Sequence, residues 1–340
     1  MRVVAAVDKF RGTASAADVA QAIGQACWEL GHDCTELALA DGGEGLLEAL
    51  GGANRTTTVT GPLGTPVAAG WRLQRGTAII EMARASGLVL AGGPEGNDPM
   101  AATTAGTGEL IDAALTAGAK RVIVGLGGSA TTDGGLGALR AIRAPVRLRG
   151  VELLVACDVT TTFVHAAEVF GPQKGATPAQ VRMLTGRLER LADQYLEEFG
   201  VDVTAIPGSG AAGGIAGMLA ALGGELVPGF DLVADELGLH DAVEGADLVI
   251  TGEGHLDRQS FEGKVVGGVA GVAAEFGVPV GAIVGIADDD VRDRLPVIAI
   301  AEAYGLERAT TEPLWCIERA ARDLISEMTP ATRRSPDPEP

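Results

Sequence analysis

The run R-V-I-V-G-L-G-G-S-A-T-T-D-G-G-L-G at residues 121–137 decides the fold class. After Arg121 its first residues, V-I-V-G-L, are an apolar run with β-branched residues at its start, of strand length. Glycines then break the run, and 134–142 place Ala138, Leu139, Ala141 and Ile142 in a helical pattern. Strand, Gly-rich loop and helix in that order form one step of a parallel α/β architecture. The end of this run also has a counterpart elsewhere. Asp133-Gly134-Gly135-Leu136-Gly137 and Asp41-Gly42-Gly43-Glu44-Gly45 both read D-G-G-x-G, and Leu46, Leu47, Ala49 and Leu50 continue the earlier copy as a helix. An acid at a helix start can cap free backbone N–H groups. Glycines there let a ligand approach a helix end that favours anions. The pair is therefore expected to mark two anion sites, or two ordinary capped turns.

The same alternation extends in both directions. Strands are expected over 3–7, 34–40, 153–157, 246–251, 278–284 and 297–301. Helices are expected over 16–30, 107–117, 178–199, 214–222, 265–276 and 312–328. Three short runs, 56–60, 67–73 and 77–82, are separated by Gly-Pro and Arg-Gly turns and read as antiparallel strands. They suggest a second domain inserted in the first. A chain of 340 residues is itself long for one core. Residues 329–340, rich in Pro and charge, read as a disordered tail.

Composition narrows the function. The net charge of −19 with no Lys/Arg cluster argues against nucleic acid and anionic membranes as partners. Aromatic residues at 4% leave little for stacking on bases. The four cysteines have no C-x-x-C spacing, and none of the four histidines sits at metal-ligand spacing, so reduced thiols in a cytoplasmic protein are expected. The apolar stretch at the N-terminus is too short for a signal peptide, and no stretch reads as a membrane span.

In open α/β sheets ligands gather beyond the carboxyl ends of strands. Five expected strands deliver a carboxylate there: Asp8, Asp41, Asp133, Asp158 and Glu253. Such an acidic rim calls for a cation, and Mg²⁺ suits oxygen ligands and phosphates. The few bases nearby are Arg11, Lys174 and Lys264. Lys174, set among Gly and Pro in F-G-P-Q-K-G, is the best placed of them to meet an anion. G-S-G-A-A-G at 208–213 fits a dinucleotide fingerprint, but no acid follows at a suitable strand end. E-G-K-V at 262–265 excludes a P-loop.

These segments together resemble the bacterial glycerate kinases that lack a Walker motif. The resemblance is carried, in order, by D-K-F-R-G at 8–12, A-D-G-G-E-G at 40–45, T-G-P-L-G at 60–64, I-E-M-A-R-A-S-G-L at 80–88 and T-A-G-T-G-E-L at 104–110. It continues through G-L-G-G-S-A-T-T-D-G-G-L-G at 125–137, A-C-D-V at 156–159, V-F-G-P-Q-K-G-A-T at 169–177, G-A-A-G-G at 210–214 and D-L-V-I-T-G-E-G-H-L-D-R-Q at 247–259. It implies ATP-dependent phosphorylation of D-glycerate to 2- or 3-phosphoglycerate, in a cleft between two α/β domains. One is a discontinuous flavodoxin/Rossmann-like parallel-sheet domain (1–55 plus 235–328). The other is an inserted α/β domain with some antiparallel strands (56–234). A homodimer is compatible with this picture.

On that basis Gly127, Gly128, Ser129, Thr131 and Asp133, with Gly210 and Gly213, are expected to hold ATP. Asp158 and Glu253 are expected to hold Mg²⁺. Asp8 or Asp41 would orient the acceptor hydroxyl or take its proton, while Arg11 and Lys174 would hold the substrate carboxylate or the moving phosphoryl group. Two departures bear on substrate and activity: Lys9 and Arg11 stand where the family usually has Ser and Lys, and the loop after Asp158 is shortened. The alternatives are a nicotinamide-dependent dehydrogenase of a small hydroxy acid using 208–213, and a non-catalytic sensor of a small acid on a kinase-like scaffold.

Overall fold

The computed structural model describes residues 1–328, so the tail expected at 329–340 lies outside the described residues. The strands are β1 (Arg2–Val7), β2 (Asp33–Ala38), β3 (Arg55–Thr60), β4 (Pro66–Gln74), β5 (Thr77–Glu81), β6 (Arg121–Gly125), β7 (Glu152–Ala156), β8 (Glu225–Val227), β9 (Leu248–Leu256), β10 (Val280–Ala287) and β11 (Val297–Ala299). The chain divides into two compact units, one of Met1–Asp41 with the chain from Val233 on, the other of Gly42–Leu232.

The first unit has a wholly parallel sheet in the order β11-β10-β9-β1-β2. Numbered within the unit, this is the doubly wound order 2-1-3-4-5, whose switch point falls between β1 and β9. Its helix Ala16–Glu29 starts where Ser15 accepts the Asp18 N–H, and it buries Val19, Ile23, Ala26 and Cys27 as one stripe. Strand β9 is longer than its sequence suggests. It runs through Gly252-Glu253-Gly254, expected as a loop, because β10 pairs with it as far as Ala287 opposite Leu256. The ladder outweighs the poor strand propensity of the glycines.

The second unit carries the order β3-β4-β5-β6-β7-β8. Pairs β3–β4 and β4–β5 are antiparallel, and the other three are parallel. Its longest helix, Pro178–Phe199, has the bounds its sequence predicts. Thr177 and Gln180 form a reciprocal capping box, Pro178 occupies the first turn, and Gly200 at φ +71° ends it. Leu184, Leu188, Leu191 and Tyr195 are its buried stripe.

The first boundary between units falls at Asp41, earlier than the expected residue 55. The segment after Asp41 is held by the second unit's own residues: Glu81 Oε1 accepts the N–H groups of Gly45 and Leu47, each at 2.9 Å. A Cβ on Gly42 would sit 2.3 Å from Gly229 Cα, which makes glycine obligatory there.

Candidate active-site cavities

Each unit has a polar cavity beyond the carboxyl ends of its strands. In the first unit the cavity is about 490 Å³ and lies at the switch point. Its charged lining is Asp8, Lys9, Arg11, Asp41, Glu253, Asp257 and Lys264. Asp8 follows β1 directly, and its N–H bonds to the Gly252 carbonyl at 2.9 Å, fixing it beside β9. The loop after Asp8 is pinned by Phe10, which is buried and exchanges backbone hydrogen bonds with Ala14. That loop passes so close to Gly254 that a Cβ there would lie 3.2 Å from the Arg11 nitrogen.

Burial pushes the Asp8 carboxyl up to about 6, opposed by Lys9 and reinforced by Asp41. Burial pushes Glu253 up to about 7; a hydrogen bond from Ser260 opposes this and the Asp8 charge adds to it. Glu253 Oε1 is buried without a hydrogen-bond partner. This cavity therefore holds acids poised to change protonation near neutrality.

In the second unit a cavity of about 340 Å³ lies beside the loop after β6 and the start of the loop after β7. Gly128, Ser129, Asp158, Gln173 and Lys174 are its polar lining, and Leu88, Leu126, Cys157 and Phe170 are among its apolar residues. The loop is braced on the segment after β5: Leu88 N–H donates to the Gly128 carbonyl and Ala130 N–H to the Ser86 carbonyl. Asp158 Oδ1 accepts the Gly229 N–H at 2.7 Å. Lys174 is 2% exposed. Its Nζ donates to the Thr131 carbonyl at 2.7 Å, and it forms no salt bridge among the described residues. Burial brings its ammonium down to about 7, although the Asp133 charge pulls the other way.

Several expected site residues stand elsewhere. Asp133 does not line this cavity. Its carboxylate accepts the N–H and Oγ1–H of Thr104 and the N–H groups of Gly135 and Gly137. Those four bonds engage both oxygens, so Asp133 shapes the loop and offers nothing to a phosphate. Thr131 is fully buried, with its hydroxyl directed to the Ala212 carbonyl. Gly213 is a packing glycine, because a Cβ would lie 2.0 Å from the Thr131 carbonyl oxygen. Gly210 bonds to the Thr161 carbonyl through its N–H. From that segment Ala211 and Ala212 reach the cavity instead. Lys174 and Arg11, expected to act together, line different cavities, as do Asp158 and Glu253.

The dinucleotide alternative lacks its structural context, since a 3₁₀ turn, Val203–Ala205, precedes Gly208 where that fingerprint needs a strand. Asn97 escaped the sequence reading. Its Nδ2 donates to the carbonyls of Ala130 and Lys174, joining the Gly-rich loop to the lysine. A lone Asn before Asp-Pro carries no local signal beyond a turn.

No cluster of three or more His, Cys, Asp or Glu able to hold a metal forms among the described residues. The unpartnered Glu253 Oε1 nevertheless fits Mg²⁺, which needs only one or two carboxylates when phosphates and water complete its shell. No helix among the described residues is long and apolar enough to cross a membrane.

Two α/β units, each with a charged cavity at its strand ends, define the class as a two-unit α/β protein. The family model "Glycerate kinase family" matches the chain over residues 3–146 and 142–334. Glycerate 2-kinase of Escherichia coli (strain K12) is 41% identical over 331 residues, covering 86% of this chain and 87% of that one. Glycerate kinase of Bacillus subtilis (strain 168) is 38% identical, covering 96% and 97%. A Salmonella typhimurium LT2 protein, provisionally described as glycerate kinase 2, has a crystal structure with a TM-score of 0.82 at 35% identity, covering 96% of this chain and 98% of that one. The chain belongs to the glycerate kinase family.

Proposed function

We propose that the protein transfers the terminal phosphoryl group of ATP to D-glycerate. The observation that carries this is Lys174: an enclosed cation with no ion-pair partner among the described residues, beside a Gly-rich strand-end loop. Such a group is costly to bury unless an anion meets it. In phosphoryl transfer, neutralising phosphate charge is the larger part of catalysis. Gly127, Gly128 and Ser129 supply backbone N–H groups and one hydroxyl to the phosphates. Asp158 and Glu253, which line different cavities, are each a candidate carboxylate for Mg²⁺, which would add charge neutralisation when bound with the nucleotide. Asp8 or Asp41 takes the proton of the acceptor hydroxyl, and Arg11 faces the anionic groups in its own cavity. The name of the E. coli relative, glycerate 2-kinase, favours the 2-hydroxyl as acceptor.

The direct test is ATP consumption dependent on D-glycerate, with the product's phosphorus position read by NMR. Asp41→Asn is expected to lower kcat by well over about tenfold with melting unchanged, as removal of a general base or its orienting partner does. Normal turnover in that variant would remove Asp41 from the scheme.

The pH profile follows from the shifted groups. Asp8 and Glu253 must be ionised, so kcat/KM should rise as pH climbs through about 6 to 7. Lys174 must be protonated, so the profile should fall as pH climbs past about 7. A narrow bell centred near neutrality is expected, its limbs belonging to coupled groups. Glu253→Gln should alter the acid limb and leave the alkaline one; a profile flat across neutrality would reject these roles.

A further inference from the structure

Thr131 and Lys174 stand 43 residues apart in sequence, and two links hold their segments together. The first is the bond from Lys174 Nζ to the Thr131 carbonyl at 2.7 Å. The second runs through Asn97, whose Nδ2 donates to the Ala130 carbonyl at 3.0 Å and to the Lys174 carbonyl at 2.9 Å. A side-chain amide nitrogen has two hydrogens, and both are used here. The opposite amide orientation would set Oδ1 against two carbonyl oxygens, so the network assigns the orientation. Lys174 is thus held at both ends, its ammonium by the Thr131 carbonyl and its main chain by an amide that also grips Ala130.

The segment carrying Asn97 is anchored to the same loop. Leu88 N–H donates to the Gly128 carbonyl, and Gly93 N–H donates to the Leu88 carbonyl. Asn97 ends the short helix Gly93–Gly96, with its own N–H on the Gly93 carbonyl at 3.0 Å. Ala91, Ala102 and Ala130 are buried together, with Leu88 packed against them. Gly175, at φ +90°, lets the turn of Lys174 close on this segment: a Cβ there would lie 2.3 Å from the Pro94 carbonyl oxygen.

Asn97 Oδ1 is buried with no hydrogen-bond partner among the described residues. An orphaned acceptor costs the fold about as much as two net hydrogen bonds return. The residue is only half-buried, so water can reach the two carbonyls when the side chain is removed. Asn97 therefore adds little to stability, and what it supplies is placement. We infer that Asn97 is a positioning residue for phosphoryl transfer: its amide holds the Lys174 ammonium in one place in the cavity that Gly128 and Ser129 also line. Asn97 does not line that cavity itself, so it acts through Lys174. Its role rests on the reading of Lys174 as the cation that meets phosphate.

The test is a double-mutant cycle of Asn97→Ala and Lys174→Met, read by kcat, KM and urea unfolding. Asn97→Ala alone is expected to lower kcat by about tenfold, as a small displacement of a charge-stabilising group does, with KM for glycerate and the urea midpoint close to parental. In the Lys174→Met background the same change is expected to lower kcat by less than about twofold, because the group it positions is gone. Asn97→Gln keeps both amide hydrogens on a longer stem and should recover part of the loss. An equal fall in kcat in both backgrounds, or a fall matched by a lower urea midpoint that Asn97→Gln does not reverse, makes Asn97 structural and overturns the positioning role. A slow Lys174→Met beside a normal Asn97→Ala also overturns it and leaves the reading of Lys174 standing. Parental turnover in Lys174→Met overturns that reading, and the positioning role with it.

Discussion

Lys174→Met is expected to lower kcat for glycerate phosphorylation by about 10²- to 10³-fold, the usual loss when one preorganised charge-stabilising group is removed. The same variant is expected to be at least as stable as the parent at pH 7. Burial holds the Lys174 ammonium near 7 against an ordinary 10.5. Between those two pH values the unfolded chain binds a proton that the folded chain does not, so this group makes stability rise with pH through that window. At pH 7 its contribution to folding is unfavourable. Methionine fills a similar volume and removes the charge. It also forfeits the hydrogen bond to the Thr131 carbonyl, worth about 1 kcal/mol, a smaller term than burying an unpaired cation.

The melting temperature of the variant should therefore match or exceed that of the parent at pH 7. The advantage should shrink as pH rises toward the ordinary lysine value, where the parent's lysine is neutral in the fold and no longer penalised. Scanning calorimetry across that range and steady-state kinetics read both effects. A variant that melts lower and keeps its turnover would make Lys174 a structural lysine.

Asp133→Asn is expected to do the opposite: to cost the fold about 1–3 kcal/mol, the range for leaving a buried donor without its acceptor. The Asp133 carboxylate accepts four hydrogen bonds, from two groups of Thr104 and from the Gly135 and Gly137 backbone. An amide replaces one acceptor oxygen with a donor, which then faces N–H groups left unsatisfied. Urea unfolding of Asp133→Asn should show a much lower midpoint. Asp41→Asn, changed at the equivalent position of the other D-G-G-x-G, should unfold at the parental midpoint. Equal midpoints for all three proteins would refute this division of roles.

Much of the fold was legible because its signals are local. The helix Pro178–Phe199 announces itself with a capping box, a first-turn proline, an apolar stripe and a closing glycine, all within one stretch of chain. The parallel strands read as apolar runs ending in Gly and Asp. Strand β8 was not legible, since three residues carry no periodicity and it exists through pairing with β7. The extension of β9 through two glycines was hidden for the same reason: its ladder partner is β10. In the candidate site, Asp8, Arg11, Asp41, Glu253, Asp158, Ser129 and Lys174 are expected from strand ends and Gly-rich loops, and the structure has them lining the cavities. Asn97 and the apolar lining around Leu306 were missed. Neither lies at a strand end: Asn97 acts through the loop and the lysine it joins, and Leu306 meets its cavity beside residues far along the chain.

The two D-G-G-x-G copies mark the limit most clearly. The sequence by itself determined that both are Gly-rich turns entering short helices in an α/β protein, because backbone freedom at glycine and apolar spacing act within a few residues. Only the tertiary structure decided what each aspartate does. At the second copy Asp133 caps its own turn and also ties down Thr104. At the first copy Glu81, from a neighbouring strand, caps Gly45 and Leu47, and Asp41 lines a cavity. A free N–H group takes whichever carboxylate the fold brings within hydrogen-bond distance, and the sequence around a turn does not record which one that is.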